Sequence, residues 1–360
     1  MSANDDAFFT WTRDTARCLW PGARVDRIDA LRGDASTRRF WRVHLADGGA
    51  PTSAILVDLG PHDLPPYART LKLVPDPLQE PPWLTVHRLL SRIGAPVPAV
   101  YDADPAHRAM LVEDAGETSL FDAVRKWPSG AADLFRSAVE LLMLFHVDGT
   151  RALQPDFLSA KIAYDQHLFR WELKEFLELG CSALANADPA SLAPELDALA
   201  AELGRLPRVF SHRDFHGQNL FVQPVPDGVK LRVIDFQDAL MAPAAQDLAV
   251  LLTTRDTAKM VPPALERRLL DFYYTGLGRR EAATLSHDEF LRSYQLCVLQ
   301  HALKMMGRFM LFERDGRRGY AAFVPHVIAQ GRRILSGPAG QSFPLLVAAF
   351  DAPPTVEARR

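Results

Sequence analysis

Phe210-Ser211-His212-Arg213-Asp214-Phe215-His216-Gly217-Gln218-Asn219-Leu220, followed by Val233-Ile234-Asp235-Phe236-Gln237-Asp238, is the stretch that decides how this chain is read. Its pattern is strand, polar loop, strand, turn, strand, loop. Asp214 and Asn219 enclose four residues, and Asp235 follows after a hairpin. A single Asp in a loop is most often a turn residue or a helix cap. Three polar residues at this spacing, bracketed by apolar strands, point instead to phosphoryl transfer. One carboxylate takes the proton of an attacking hydroxyl, while an amide and a second carboxylate hold magnesium against the phosphates of ATP.

The rest of the composition fits a globular enzyme. The chain has 360 residues, 48% hydrophobic and 24% charged, enough for two lobes and a sizeable core. A net charge of -3 argues against a general nucleic-acid partner. No run approaches a membrane span, and the N-terminus, with Asp5 and Asp6, does not read as a signal peptide. Cys18, Cys181 and Cys297 fit no zinc spacing and read as reduced thiols, so a cytoplasmic location is expected.

Working outward from the polar loop, the first third is strand-rich. An amphipathic helix is expected over residues 8–19, then strands over 25–31, 40–45 and 54–59. Between the first two strands lies the polar loop Gly33-Asp34-Ala35-Ser36-Thr37-Arg38. That loop reads either as an ordinary hairpin tip or as a cradle whose amides cover phosphates. Residues 60–82, rich in Pro and polar residues, are expected to run irregularly over a cleft. A helix over 83–93 and strands near 100–101 and 110–113 follow. Beyond Asp114 the period turns helical, with helices over 119–127, 131–146, 164–179, 194–203, 247–253, 263–274, 286–312 and 323–335. The tail ends Pro-rich and polar. The expected class is α+β: a small β-rich lobe over 1–115, a larger, mostly helical lobe over 116–345, and a loose tail over 346–360.

The motif His212-Arg213-Asp214 with Asn219, then Asp235-Phe236, has the spacing of a protein-kinase catalytic loop and metal-binding aspartate. In a kinase-like bilobal fold, Val112, Glu113 and Asp114 form the hinge, whose backbone amide and carbonyl meet the adenine edge, with no contact assigned to the Glu113 or Asp114 side chains. Asp214 is then the catalytic base, and Asn219 and Asp235 are the magnesium ligands. His212 reads as a structural residue of the loop. Asp247 either receives a bond from it or caps the next helix. His216 faces either the substrate or Asp235.

Protein kinases differ in two respects. There is no Gly-x-Gly-x-x-Gly loop, and the connection from Asp235 to the helix at Asp247 is too short for an activation loop, so a small-molecule acceptor is favoured. The catalytic segments, with Gln246-Asp247-Leu248-Ala249, resemble the aminoglycoside phosphotransferase and choline-kinase-like superfamily. The first loop, Tyr164-Asp165 with Glu172, and Gln300, Lys304 and Gly307 ahead of Arg314-Asp315-Gly316 resemble one branch of it. That branch is the anomeric sugar kinases of bacterial cell-wall recycling, which act on N-acetylmuramate and N-acetylglucosamine. The resemblance runs over about residues 8–335. It implies ATP and Mg²⁺ as cofactors, a small amino sugar as partner and a monomer. It also implies sugar contacts by Tyr164, Glu172 and Gln237, and His216, Gln300, Lys304 and Arg308 are further candidates to line the sugar site. The alternatives are an aminoglycoside or choline/homoserine-type kinase and a nucleotide-binding pseudokinase.

One departure from the superfamily is that the third strand, Ala54-Ile55-Leu56-Val57-Asp58, lacks the phosphate-binding Lys. Arg38, Arg39 and Arg42 are the candidates to replace it. Seven Lys/Arg against two acids between Gln300 and Leu335, with Gln300, Lys304 and Arg308 on one helix face, suit a neutral or anionic sugar better than a polycation. The same pattern also fits a solvated helix face.

Overall fold

The computed structural model describes residues 3–31, 38–59, 67, 80–104, 108–225, 228–254 and 257–351. Helix α1 (Ala3–Leu19) leads into β1 (Arg24–Leu31), β2 (Arg39–Ala46) and β3 (Ser53–Asp58). Helix α2 (Pro82–Arg92) and strands β4 (Val100–Asp104) and β5 (Ala109–Glu113) complete a five-stranded antiparallel sheet in the order β1-β2-β3-β5-β4. Strand β2 shows why this sheet has a dry face. Trp41, Val43 and Leu45 alternate inward, against Phe8 and Ala16 of α1. Strand β5 is covered on both faces: Ala109 and Leu111 join that α1 cluster, while Met110 and Val112 join the main core.

The second lobe is helical. It comprises α3 (Leu120–Lys126), α4 (Ala131–Met143), α5 (Gln166–Glu178), α6 (Pro189–Gly204), α7 (Ala244–Thr253), α8 (Pro263–Arg279), α9 (His287–Arg314), α10 (Val324–Leu335) and α11 (Pro344–Asp351). Two small antiparallel pairs interrupt it: β6 (Arg208–Ser211) with β9 (Leu240–Pro243), and the hairpin of β7 (Leu220–Val225) with β8 (Gly228–Val233). The two lobes share one apolar cluster through α2, whose Trp83 ring lies 4.9 Å from that of Phe236, next to Asp235.

Three features differ from the expected element pattern. Helix α4 does not run on to residue 146 as an α-helix. It widens into a π-turn over Leu144–Gly149, which seats His146 in the interior. Helix α6 starts five residues earlier than expected, because Asp188 caps it with Pro189 in the first turn, and Pro194 is carried inside. Residues 346–351, assigned to the loose tail from the sequence, belong to α11, where Leu346, Ala349 and Phe350 are buried. The Phe350 carbonyl accepts from Arg332.

Helices α5 and α9 touch backbone to backbone. A Cβ at Gly307 would lie 2.4 Å from the Glu175 carbonyl carbon and 2.5 Å from the Phe176 nitrogen. That close approach brings residues 300–304 of α9 against Glu172 of α5.

Candidate active site

The loop after β6 is held by a carboxylate beneath it. Asp247, in the first turn of α7 and fully buried, accepts the His212 amide at 2.9 Å and the Arg213 amide at 2.9 Å. The His146 Nε2 also lies 3.1 Å from it, and the His146 Nδ1 lies 2.6 Å from the Tyr273 hydroxyl. Of the two roles open to Asp247, it therefore plays that of loop anchor, and the bond it receives comes from backbone amides. The buried His212 ring meets the Ile234 carbonyl at 3.0 Å, which ties the loop to the end of β8. These bonds stabilise an unfavourable backbone. Arg213 sits at φ +78° and Asp235 at φ +62°, the left-handed region that costs a non-glycine residue ~1–3 kcal/mol.

The anchored loop brings Asp214, Asn219 and Asp235 together. The Asn219 side-chain NH₂ donates to the Asp214 carbonyl at 2.9 Å, so its amide oxygen turns the other way. The Ile234 amide bonds the Asn219 carbonyl at 3.0 Å, so the residue before Asp235 is stitched to Asn219 itself. Asp235 Oδ1 accepts from Arg38 Nη2 at 3.2 Å and from Gln237 Nε2 at 3.0 Å. Burial pushes the Asp214 carboxyl up, but the Arg213 guanidinium, the Lys304 ammonium and the nearby His216 and His212 rings outweigh it and hold it below its ordinary value. The His216 Nδ1 accepts from the Gln218 amide at 3.3 Å, and its Nε2 lies 3.5 Å from Asn219 Nδ2.

Among the described residues no cluster of three or more His, Cys, Asp or Glu could hold a metal. A magnesium site in phosphoryl transfer does not need one, because phosphate and water fill most of the shell. The Asp235 carboxylate and the Asn219 amide oxygen fit that sparse donor set, and Asp235 already attracts a cation, Arg38.

Next to Asp214 lies a polar hub assembled from three separate stretches of sequence. Glu172 Oε1 accepts from the Tyr164 hydroxyl at 2.5 Å, Lys304 Nζ at 2.8 Å and Arg213 Nη2 at 3.3 Å. Its Oε2 accepts from Gln300 Nε2 at 3.0 Å. Burial alone would raise the Glu172 carboxyl, but Lys304 and Arg213 bring it down to about 2. Tyr164, Glu172 and Gln300, expected as sugar contacts, are buried and bonded to one another. The Lys304 and Arg213 side chains, 12% and 14% exposed, are the hub's more accessible members. Arg308 pairs with Glu175 at 3.1 Å. The α9 face that looked basic in isolation is thus neutralised by Glu172 and Glu175 of α5.

On the nucleotide side, Gly33, Asp34, Ala35, Ser36 and Thr37 lie outside the described residues. Val112 is buried in β5, paired with Ile55 and Val100. The Glu113 amide donates to the Ala99 carbonyl at 2.8 Å, so β5 continues its hydrogen bonding one residue further. The Glu113 carboxylate is held by the Ala99 amide and Arg232. The Asp114 carboxylate is held by Arg42 at 2.7 Å and Ser53 at 2.8 Å. Arg39 meets Asp58 at 3.0 Å. Of the three candidate arginines, Arg38 is the one directed to Asp235. Gln237, besides Asp235, reaches Asp238 at 3.1 Å, and its buried Oε1 has no hydrogen-bond partner among the described residues.

Sequence reasoning missed Tyr67, His146 and the bonding of Arg213 to Glu172 and Tyr164. The Tyr67 ring, 2% exposed, stacks on the Arg213 guanidinium at 4.4 Å and lies 6.2 Å from Trp171. The available signal was its place in the long segment expected over the cleft.

The same fold recurs in known proteins. A choline kinase from Cryptosporidium parvum superposes with a TM-score of 0.60 at 14% identity, covering 95% of this chain and 99% of that one. An ADP-bound aminoglycoside phosphotransferase does so at 0.53 and 11% identity, covering 91% and 97%. At these identities the likeness concerns the fold. In sequence, a protein of Caulobacter vibrioides named N-acetylmuramate/N-acetylglucosamine kinase is 29% identical over 338 residues, 84% of this chain and 85% of its own. One of the same name from Pseudomonas aeruginosa is 28% identical over 300 residues, 81% and 79%. The sequence pattern of the phosphotransferase enzyme family matches residues 27–284, which include the anchored loop, Asp235 and most of the Glu172 hub, and the chain belongs to that family.

Proposed function

We propose that this enzyme transfers the γ-phosphoryl group of ATP, with Mg²⁺, to the anomeric (C1) hydroxyl of N-acetylmuramate and N-acetylglucosamine. One observation carries the acceptor side of this reading. Tyr164, Gln300 and Lys304, scattered over 141 positions of sequence, converge on Glu172, which also holds Arg213, the neighbour of Asp214. Relatives of the same name, at 26–29% identity, support the substrate class.

In this mechanism the Asp214 carboxylate accepts a hydrogen bond from the sugar hydroxyl and orients it in line with the γ-phosphorus. As the new O–P bond forms and the bond to the β-phosphate oxygen breaks, the hydroxyl proton passes to Asp214 and ADP leaves. Asn219 and Asp235 would hold Mg²⁺, which supplies positive charge to the phosphate oxygens. Arg213 and Lys304, braced by Glu172, keep Asp214 ionised and fix the loop's position. The base edge would meet backbone just beyond the Glu113 amide, at the turn through Asp114.

The test is a panel of acceptors with ATP and Mg²⁺: both N-acetyl amino sugars, an aminoglycoside, choline and homoserine. Product phosphate is located by NMR. The expected product is the sugar 1-phosphate. Turnover confined to an aminoglycoside or to choline would replace this reading, and no ADP release with any acceptor would favour a nucleotide-binding scaffold.

A further inference from the structure

Asp235 is the residue that this reading makes a metal ligand, and in the structure it already has a cation. Arg38 enters β2 in the sheet lobe, and Asp235 follows β8 in the helical lobe, so their 3.2 Å contact spans the two lobes. The Arg38 side chain is 18% exposed, while the Asp235 carboxylate is 41% exposed. The left-handed backbone at Asp235 turns this carboxylate away from the path of a regular strand. Its Oδ1 is doubly engaged, by Arg38 and by Gln237. The other arginines of β2 are held elsewhere, Arg39 by Asp58 and Arg42 by Asp114. Strand β3, Ser53–Asp58, carries neither Lys nor Arg.

A guanidinium and a divalent cation cannot share one carboxylate oxygen without further negative charge nearby. Nucleotide phosphate supplies that charge. It is also a natural second partner for a planar guanidinium, which binds phosphate in a bidentate fork.

We propose that Arg38 is a competitor for the metal aspartate as well as a phosphate ligand. In the nucleotide-free enzyme Arg38 holds Asp235 and weakens the binding of free divalent metal. It yields Asp235 when metal and nucleotide phosphate are present together, and it then moves to the phosphate. Metal and nucleotide binding are thereby coupled through one side chain. The proposal rests on the reading of Asp235 as a metal ligand.

The experiment titrates the full-length, nucleotide-free protein with Mn²⁺, read by the EPR signal of the free ion, and repeats the titration with ADP. Melting curves establish that each variant is folded. Arg38→Gln is expected to bind Mn²⁺ alone about five- to tenfold more tightly than wild type, at the lower end of ordinary coupling factors. It is also expected to bind Mn²⁺–ADP more weakly. Equal or weaker binding of Mn²⁺ alone by Arg38→Gln overturns the competition. If Arg38→Gln does not fold, Arg38→Lys keeps the charge but loses the fork. Its Mn²⁺–ADP affinity is expected to fall while its affinity for Mn²⁺ alone stays at the wild-type value, and an unchanged Mn²⁺–ADP affinity overturns the phosphate role. Asp235→Asn separates the two readings. Wild-type binding of Mn²⁺ by Asp235→Asn, with or without ADP, would remove Asp235 as a metal ligand irrespective of what Arg38 does.

Discussion

Replacing Glu172 by Gln removes the single negative charge on which Arg213 and Lys304 converge. The carboxyl sits at about 2 in the folded protein against an ordinary 4.5, despite complete burial. A shift of that size, at about 1.4 kcal/mol per pH unit, corresponds to ~3 kcal/mol of stability at neutral pH. Breaking a buried ion pair from one side independently suggests ~3–5 kcal/mol, because the remaining charges lose their partner. The sign follows from the lowered value. The contribution is complete above pH 4.5 and is lost as the pH falls towards 2, where the folded state also takes up the proton. Urea unfolding of wild type and Glu172→Gln at pH 7 is therefore expected to differ by ~3 kcal/mol, and the gap is expected to narrow between pH 5 and pH 3. Adding Lys304→Met to Glu172→Gln removes one of the stranded cations and is expected to recover part of the loss. A gap under about 1 kcal/mol at pH 7, the range of an exposed pair, or one that does not change with pH, would refute the view that the hub is a buried charge cluster braced by Glu172.

Four other outcomes follow from the same structure. Asp214→Asn is expected to remain folded yet form no sugar phosphate above background, and near-wild-type turnover would contradict its role. Asp247→Ala strands two loop amides and the His146 ring. It is expected to cost ~3–5 kcal/mol in urea unfolding and to raise amide exchange at His212 and Arg213. Burial, helped by Lys304, pushes His301 down to about 3, so the unfolded chain binds its proton first and stability falls as the pH drops below about 6.5. At pH 5 that is ~2 kcal/mol, and His301→Gln is expected to flatten the decline between pH 7 and 5, whereas parallel curves would exclude His301 as its source. Gly307→Ala forces α5 and α9 apart and is expected to cost ~1–3 kcal/mol with a measurable fall in melting temperature.

The parts of the protein legible in the sequence share a property: their signal is local. Asp214, Asn219 and Asp235 stand at fixed spacing between apolar strands, and the helices of the second lobe show their period directly. What escaped depends on the facing element. The pairing of β6 with β9 involves four residues of each, and Leu240–Pro243, ending in Pro, carries no strand pattern. The π-turn at Leu144–Gly149 makes sense only with Asp247, which His146 meets a hundred residues away in sequence. The basic face of α9 could not reveal that Glu172 and Glu175 oppose it, because the pairing of Lys304 and Arg308 depends on α5. Residues 346–351 looked like a tail because their apolar residues precede a Pro-rich end, whereas Phe350 packs on Gly331 of α10.

The Glu172 hub also bears on when the enzyme becomes competent during synthesis. Its members come from residues 164, 172, 213, 300 and 304, so the loop bearing Asp214 leaves the ribosome long before α9 can supply Gln300 and Lys304. Until then Glu172 has only Tyr164 and Arg213 as partners. A nascent chain halted before residue 300 would carry every residue of the Asp214, Asn219 and Asp235 set without the cluster that steadies it. Such late, long-range closure favours all-or-none maturation of the helical lobe over a partly active intermediate.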